Sequence, residues 1–284
     1  MMSGLKIISA DARMAEQGGI KGVIFGPAKI GKTSLLWTLN PAETLFVDLE
    51  AGGLSVAGWG GDSVEVRDWP SAQNLACFLG GPNPARRPDQ PYSEAHYRYV
   101  CELYGDPAAL AKYKTIFIDS ITVASRLALQ WAKGQPEAVS ERTGKPDTRG
   151  AYGLLGQEMI GWVTQLQHIG ARNVWFVGLL DAKRDDFNRP YFEPQIEGAK
   201  TGLELPGIVD EVISMVELTP EAAQGGEAVK PYRAFVCSRP NPWGYPAGDR
   251  SGKLGMVEEP HLGKLMQKIR DGQRPAPAEY TYAI

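Results

Sequence analysis

Residues 26–33, Gly26-Pro27-Ala28-Lys29-Ile30-Gly31-Lys32-Thr33, fit the spacing G-x-x-x-x-G-K-[ST]. No other stretch restricts the fold of this chain so tightly. The two glycines let the backbone curl until successive amide N–H groups point inward, which makes a cradle for the β- and γ-phosphates of a nucleotide. Such a cradle works only between a buried strand and a helix. The sequence supplies both: the apolar run Gly22-Val23-Ile24-Phe25 precedes it, and the pattern predicts a helix over about 32–39. A chance Gly-Lys-Thr turn lacks that setting. In this reading Gly26, Pro27, Ala28, Lys29, Ile30, Gly31, Lys32, Thr33 and Ser34 hold the nucleotide, most simply ATP with Mg²⁺. The Lys32 ammonium neutralises β/γ oxygens, the Thr33 hydroxyl ligates Mg²⁺, and the following helix N-terminus adds partial positive charge. Lys29 adds a further cation, either toward phosphate or toward solvent.

The rest of the chain alternates short apolar runs with helical patterns, which predicts an α/β fold with a mostly parallel central sheet flanked by helices. Strands are expected at 44–48, 115–119 and 174–177, and two further ones at 209–218 and 232–237 on the C-terminal side. Helices are expected at about 70–79, from residue 121 (Ile121, Ala124, Leu127, Ala128 and Trp131 on one face), at 150–169 and at about 261–269. Residues 80–92 read as a Pro-rich loop, 133–149 as a polar, mobile loop, and the stretch after Val177 as a long loop. The expected organisation is an N-terminal segment 1–20, one ATPase domain 21–270 and a flexible tail 271–284.

A net charge of -3 supplies no global attraction to nucleic acid or to anionic membrane, so any polyanion contact must be local. Cys77, Cys101 and Cys237 are odd in number and widely spaced, so neither a disulfide framework nor a metal site is expected. His96, His168 and His261 stand without spaced partners. No run approaches membrane-spanning length and the first 19 residues lack a signal-peptide core, so a cytoplasmic setting is expected.

Two carboxylates follow strands. Asp119 closes Thr115-Ile116-Phe117-Ile118 and suits a Mg²⁺ ligand, held on a strand expected next to the phosphate loop; equally, Asp119 or Ser120 could cap the next helix. Glu50 follows Phe46-Val47-Asp48-Leu49, where it could orient the attacking water or stand as a solvated loop acid.

These three motifs, in this order, resemble the RecA-like ATPase core. GPAKIGKT is similar to that family's GPxxxGKT loop, FVDLE to its second-strand motif ending in the catalytic glutamate, and IFIDS to its VVDS motif. The resemblance covers about residues 22–237 and implies that Glu50 is catalytic together with Lys32. Within it, the length and the ending PAGDRSGKLG resemble the short phage-type single-strand-annealing proteins, which implies a phage protein acting in a bacterial cytoplasm. It implies self-association in a ring or filament, single-stranded DNA as substrate, and a single-strand-binding protein as a further partner.

By the same resemblance, two loops would touch DNA. One carries Lys133, Arg142, Lys145 and Arg149; the other carries Lys183, Arg184, Arg189 and Lys200, with Phe187, Tyr191 and Phe192 able to stack on bases or to pack a hairpin tip. Neither loop is strongly basic, since nearby acids balance it. Arg250, in GDRSG, resembles the arginine that such proteins supply in trans to a neighbour's γ-phosphate, with Arg239 second; a solvated turn arginine is the alternative. One departure stands out: where many relatives place a polar γ-phosphate sensor, this chain has Leu179-Leu180-Asp181. The competing functions are a nucleotide-gated scaffold or loader with weak hydrolysis, and a small-molecule kinase, which the absence of an Arg-rich lid disfavours.

Overall fold

Alternation along the central strands divides their side chains between two apolar layers. The computed structural model describes residues 7, 9, 11, 18–188, 190–220 and 230–273. Its strands are β1 (Lys21–Gly26), β2 (Thr44–Asp48), β3 (Asp62–Glu65), β4 (Thr115–Asp119), β5 (Asn173–Arg184), β6 (Pro190–Pro194), β7 (Glu211–Leu218), β8 (Tyr232–Val236), β9 (Gly248–Asp249) and β10 (Val257–Glu258). Its helices are α1 (Trp69–Gly80), α2 (Glu94–Tyr104), α3 (Ile121–Ala132), α4 (Thr148–Gln167), α5 (Ala199–Ile208) and α6 (Leu262–Asp271). Val23 and Phe25 of β1, Ile116 and Ile118 of β4, and Val174 and Phe176 of β5 join one cluster, packed under α1, α3 and α4. Ile24, Phe117, Trp175 and Val177 point the other way, into a smaller cluster closed by Leu35, Leu36 and the apolar face of α6.

The main path of the sheet runs β10-β8-β7-β1-β5-β4-β2-β3. From β7 to β3 neighbouring strands are parallel; β8, β9 and β10 join antiparallel, as does β6 against β5. The mostly parallel α/β architecture with antiparallel strands on the C-terminal side is therefore as expected. In such sheets, ligands gather at the carboxyl ends of the parallel strands, and Gly26, Asp48 and Asp119 all end strands on that side.

Several expectations need correction. The helix after the phosphate loop is a 3-10 helix, Thr33–Thr38. Thr33, Ser34, Trp37 and Thr38 are weak helix formers, and Asn40-Pro41 stops the run before a longer helix can form. A helix-dipole contribution of the expected size is thereby lost. β4 does not neighbour β1, because β5 lies between them. The long loop after Val177 is instead an extension of β5 to Arg184, a turn into β6, and α5, which accommodates Pro206. Residues 133–149 hold a short 3-10 turn (Pro136–Ala138) and a small hairpin closed by Val139 opposite Pro146. Helix α2 and strand β3 fall where no pattern was read. The expected loop between 218 and 232 and the expected tail 271–284 lie mainly outside the described residues, and the last helix runs one residue into that tail, to Asp271. All three cysteines are free thiols, and among the described residues no helix is long and apolar enough to cross a membrane.

Candidate nucleotide site

Gly26 ends β1 against the backbone of β7, so close that a Cβ there would lie 2.5 Å from the Met215 carbonyl oxygen. The loop then turns through two left-handed residues, Lys29 (φ 64°) and Gly31 (φ 101°), the second a conformation that favours glycine. The Lys32 ammonium is nearly buried and donates to the carbonyls of Gly26 at 2.9 Å and Pro27 at 2.8 Å. Burial holds its pKa below the ordinary lysine value, while Asp119 and Glu50 pull it back up. Lys29 is exposed.

Thr33 Oγ1 donates to Asp119 Oδ2 at 2.5 Å, joining residues 86 apart in sequence. Burial pushes the Asp119 carboxyl up to about 6; Glu50 and Asp48 add to the rise, and the Thr33 hydrogen bond and Lys32 oppose it. The neighbouring Ser120 separates the two roles read for this pair: Ser120 Oγ caps α3 through the Val123 N–H, leaving the Asp119 carboxylate free for Thr33. The Ser120 hydroxyl also donates to Glu50 Oε1. Glu50 itself is exposed. Its backbone is set by Asp48, whose carboxylate accepts from the N–H groups of Glu50 at 2.9 Å and Ala51 at 2.8 Å. The three motifs thus converge, although β5 separates the strands that carry two of them.

A hydroxyl and a carboxylate in contact, beside a curled amide loop, suit Mg²⁺, which takes hard oxygen ligands and keeps places for phosphate and water. Among the described residues no group of three or more His, Cys, Asp or Glu is arranged to hold a metal, and a Mg²⁺ shared with phosphate needs none.

At the level of the loop, β5 offers only apolar side chains: Leu179 is the partner of Gly26, and Leu180 is buried. Asp181, one residue further, pairs across the hairpin with Glu193 in register.

The two sets of expected DNA contacts differ in state. Lys133, Arg142, Lys145 and Arg149 are all exposed and have no ion pair among the described residues. In the second set, Lys183 is held by Glu193 at 2.6 Å, and Arg184 donates to the Asn188 carbonyl at 3.0 Å. Arg189 and the side chain of Lys200 lie outside the described residues. Phe187 and Tyr191 are exposed, whereas Phe192 packs on Tyr245 with ring centroids 4.3 Å apart.

Arg250 lies at the opposite end of the sheet from the phosphate loop. It donates to Asp210 Oδ1 at 3.0 Å and to the Gly207 carbonyl at 2.9 Å, just before β7 begins. Arg239 is exposed. Sequence reasoning missed two contributors. Ser120 was legible in the IFIDS motif only as a cap. Arg233 of β8 carries no motif at all, yet it donates to the Ile30 carbonyl at 3.3 Å.

A model of the AAA domain matches residues 18–251. No curated protein matches the chain. Among solved structures, the RadB recombinase is similar at 12% identity and a TM-score of 0.34, over 78% of this chain and 89% of that one. An ATPase from the type III secretion system of pathogenic bacteria is similar at 16% identity and a TM-score of 0.35, over 70% of this chain. This chain spans 51% of that ATPase's length.

Proposed function

The chain belongs to the AAA domain family, and from that premise we propose that it binds ATP with Mg²⁺ and hydrolyses it in a RecA-like site, acting on single-stranded DNA. The observation that carries this reading is the convergence of Thr33, Asp119, Ser120 and Glu50 at the strand ends, beside the phosphate loop. Lys32, which donates to the neutral Gly26 and Pro27 carbonyls, would exchange them for the charged phosphate oxygens of a bound nucleotide. Thr33 and Asp119 would hold Mg²⁺, which supplies charge neutralisation at the β- and γ-oxygens. Glu50, steadied by Ser120, orients and deprotonates the attacking water. Four cations in residues 133–149 that make no ion pair among the described residues support polyanion contact there rather than at the β5–β6 hairpin, whose Lys183 is already neutralised.

Two measurements on the purified protein test this. Phosphate release from ATP should vanish on Lys32→Ala, and labelled single-stranded DNA should shift in an ATP-dependent manner. A folded wild-type protein that releases no phosphate sinks the hydrolytic reading; hydrolysis without any DNA shift sinks the DNA reading. The apolar Leu179 and Leu180 favour a second reading, a nucleotide-gated scaffold or loader with little hydrolysis, because at the level of the loop β5 offers only apolar side chains. Strong stimulation of hydrolysis by single-stranded DNA is expected only for the first reading.

A further inference from the structure

β7 runs parallel to β1 but outlasts it: their last paired residues are Phe25 and Ser214, and β7 continues to Leu218. Its antiparallel partner β8 therefore begins beyond the end of β1, with Arg233 opposite Glu217, alongside the phosphate loop. Arg233 makes no ion pair among the described residues, not even with Glu217 across the ladder. Its guanidinium instead donates through Nη1 to the Ile30 carbonyl at 3.3 Å. It also packs against Gly31 so closely that a Cβ there would lie 2.8 Å from Nη1.

A trans peptide is planar, with its C=O and N–H on opposite sides. An Ile30 carbonyl turned toward Arg233 therefore directs the Gly31 N–H away from β8. That N–H has no acceptor among the described residues, and an unpaired donor on the inner side of a curled loop is what an anion needs. We propose that Arg233 is a positioning residue of the nucleotide site, holding the Ile30–Gly31 peptide so that the Gly31 N–H faces the phosphates. This rests on the triphosphate reading above and assigns Arg233 no contact with the γ-phosphate. Gly31 is then required twice, once for its left-handed backbone and once for the space that Arg233 fills.

The test titrates a fluorescent ATP and a fluorescent ADP, each with Mg²⁺, into wild type, Arg233→Ala, Arg233→Lys and Lys32→Ala. Melting of the nucleotide-free proteins is followed in parallel. Arg233→Ala should weaken ATP and ADP alike by about tenfold, the scale of one charge-assisted hydrogen bond, with its own melting temperature unchanged. Arg233→Lys should recover most of the affinity, because an ammonium can donate to the same carbonyl. Unaltered affinity in Arg233→Ala, a loss confined to ATP, or failure of the lysine to rescue would each overturn the proposal. A folded wild type that binds neither nucleotide overturns the triphosphate reading itself, and with it this inference.

Discussion

At the residue scale, the site depends on how two carboxylates are divided. Glu50 is exposed and held by a hydroxyl, so it can act on water. Asp119 is buried against Thr33, the position from which, on the proposed reading, it would serve Mg²⁺ rather than water. Glu50→Gln keeps the Ser120 contact and the phosphate loop, so MgATP affinity should stay within a few-fold while turnover falls by roughly 10²–10⁴, the range of a general base; single-turnover phosphate release measures both. Asp119 carries a pH signature. Its carboxyl is raised from 3.8 to about 6 in the fold, so stability contributed by the protonated form is complete below about 4 and lost as pH rises through 6. Asp119→Asn removes that loss. Nucleotide-free Asp119→Asn should therefore be more stable than wild type at pH 8, by on the order of 2 kcal/mol, and gain little at pH 4, while MgATP hydrolysis disappears. Parallel thermal melts at the two pH values decide it; equal differences at both would contradict the burial argument.

At the element scale, the strand that delivers the loop is fitted to its neighbour by one missing side chain. Gly22 pairs in register with Trp175, whose fully buried ring would lie 2.2 Å from a Cβ at position 22. Gly22→Ala should cost about 1–3 kcal/mol, typical of overpacking a close-packed core, visible as an earlier chemical denaturation midpoint with an unchanged slope. At the far end of the same sheet, Glu211 on β7 is buried beside Asp249 of β9, and one of its carboxyl oxygens has no hydrogen-bond partner among the described residues. Burial first, and Asp249 second, push its carboxyl up from 4.5 to about 9. The sign matches Asp119: stability is present below 4.5 and lost as pH climbs through 9. Glu211→Gln should narrow the fall in melting temperature between pH 7 and pH 9, leaving nucleotide binding intact. Elements with a strong apolar period, such as β4, α3 and α4, were legible in sequence. Helix α2 was not, because only Val100 of its residues is fully buried and its exposed face is mixed. The β5–β6 hairpin was not, because its strands leave the core and lose the apolar run by which β5 was recognised.

At the scale of the whole molecule, Arg250 and the phosphate loop occupy opposite ends of one sheet. An arginine so placed cannot serve the loop of its own chain, so a catalytic role requires a second copy. Its ion pair with Asp210 is half-exposed, and such pairs hold with only about 0–1 kcal/mol, which leaves it free to be exchanged. If Arg250 acts in trans, Arg250→Ala and Glu50→Gln should each be inactive, and mixing them should restore hydrolysis above the sum of the two. Wherever the loop of an Arg250→Ala copy faces the arginine of a Glu50→Gln copy, an intact Glu50 then meets an intact Arg250, while the reverse arrangement carries both substitutions. A mixture no more active than its components rules that role out.

The phosphate loop, its flanking strand and the order of the three motifs were determined by sequence alone, because each is a local matter: glycine conformations, an apolar run of strand length, a carboxylate just past a strand end. What only the tertiary structure decided is which residues meet. Insertion of β5 between β1 and β4, the Thr33–Asp119 and Ser120–Glu50 contacts across 86 and 70 residues, and the approach of Arg233 to Ile30 across 203 all follow from strand order and register. Strand order is set by how the helices cover both faces of the sheet. No local propensity encodes that packing, so a cation such as Arg233 gives no sign in the sequence that it belongs to the loop with which the chain is most readily recognised.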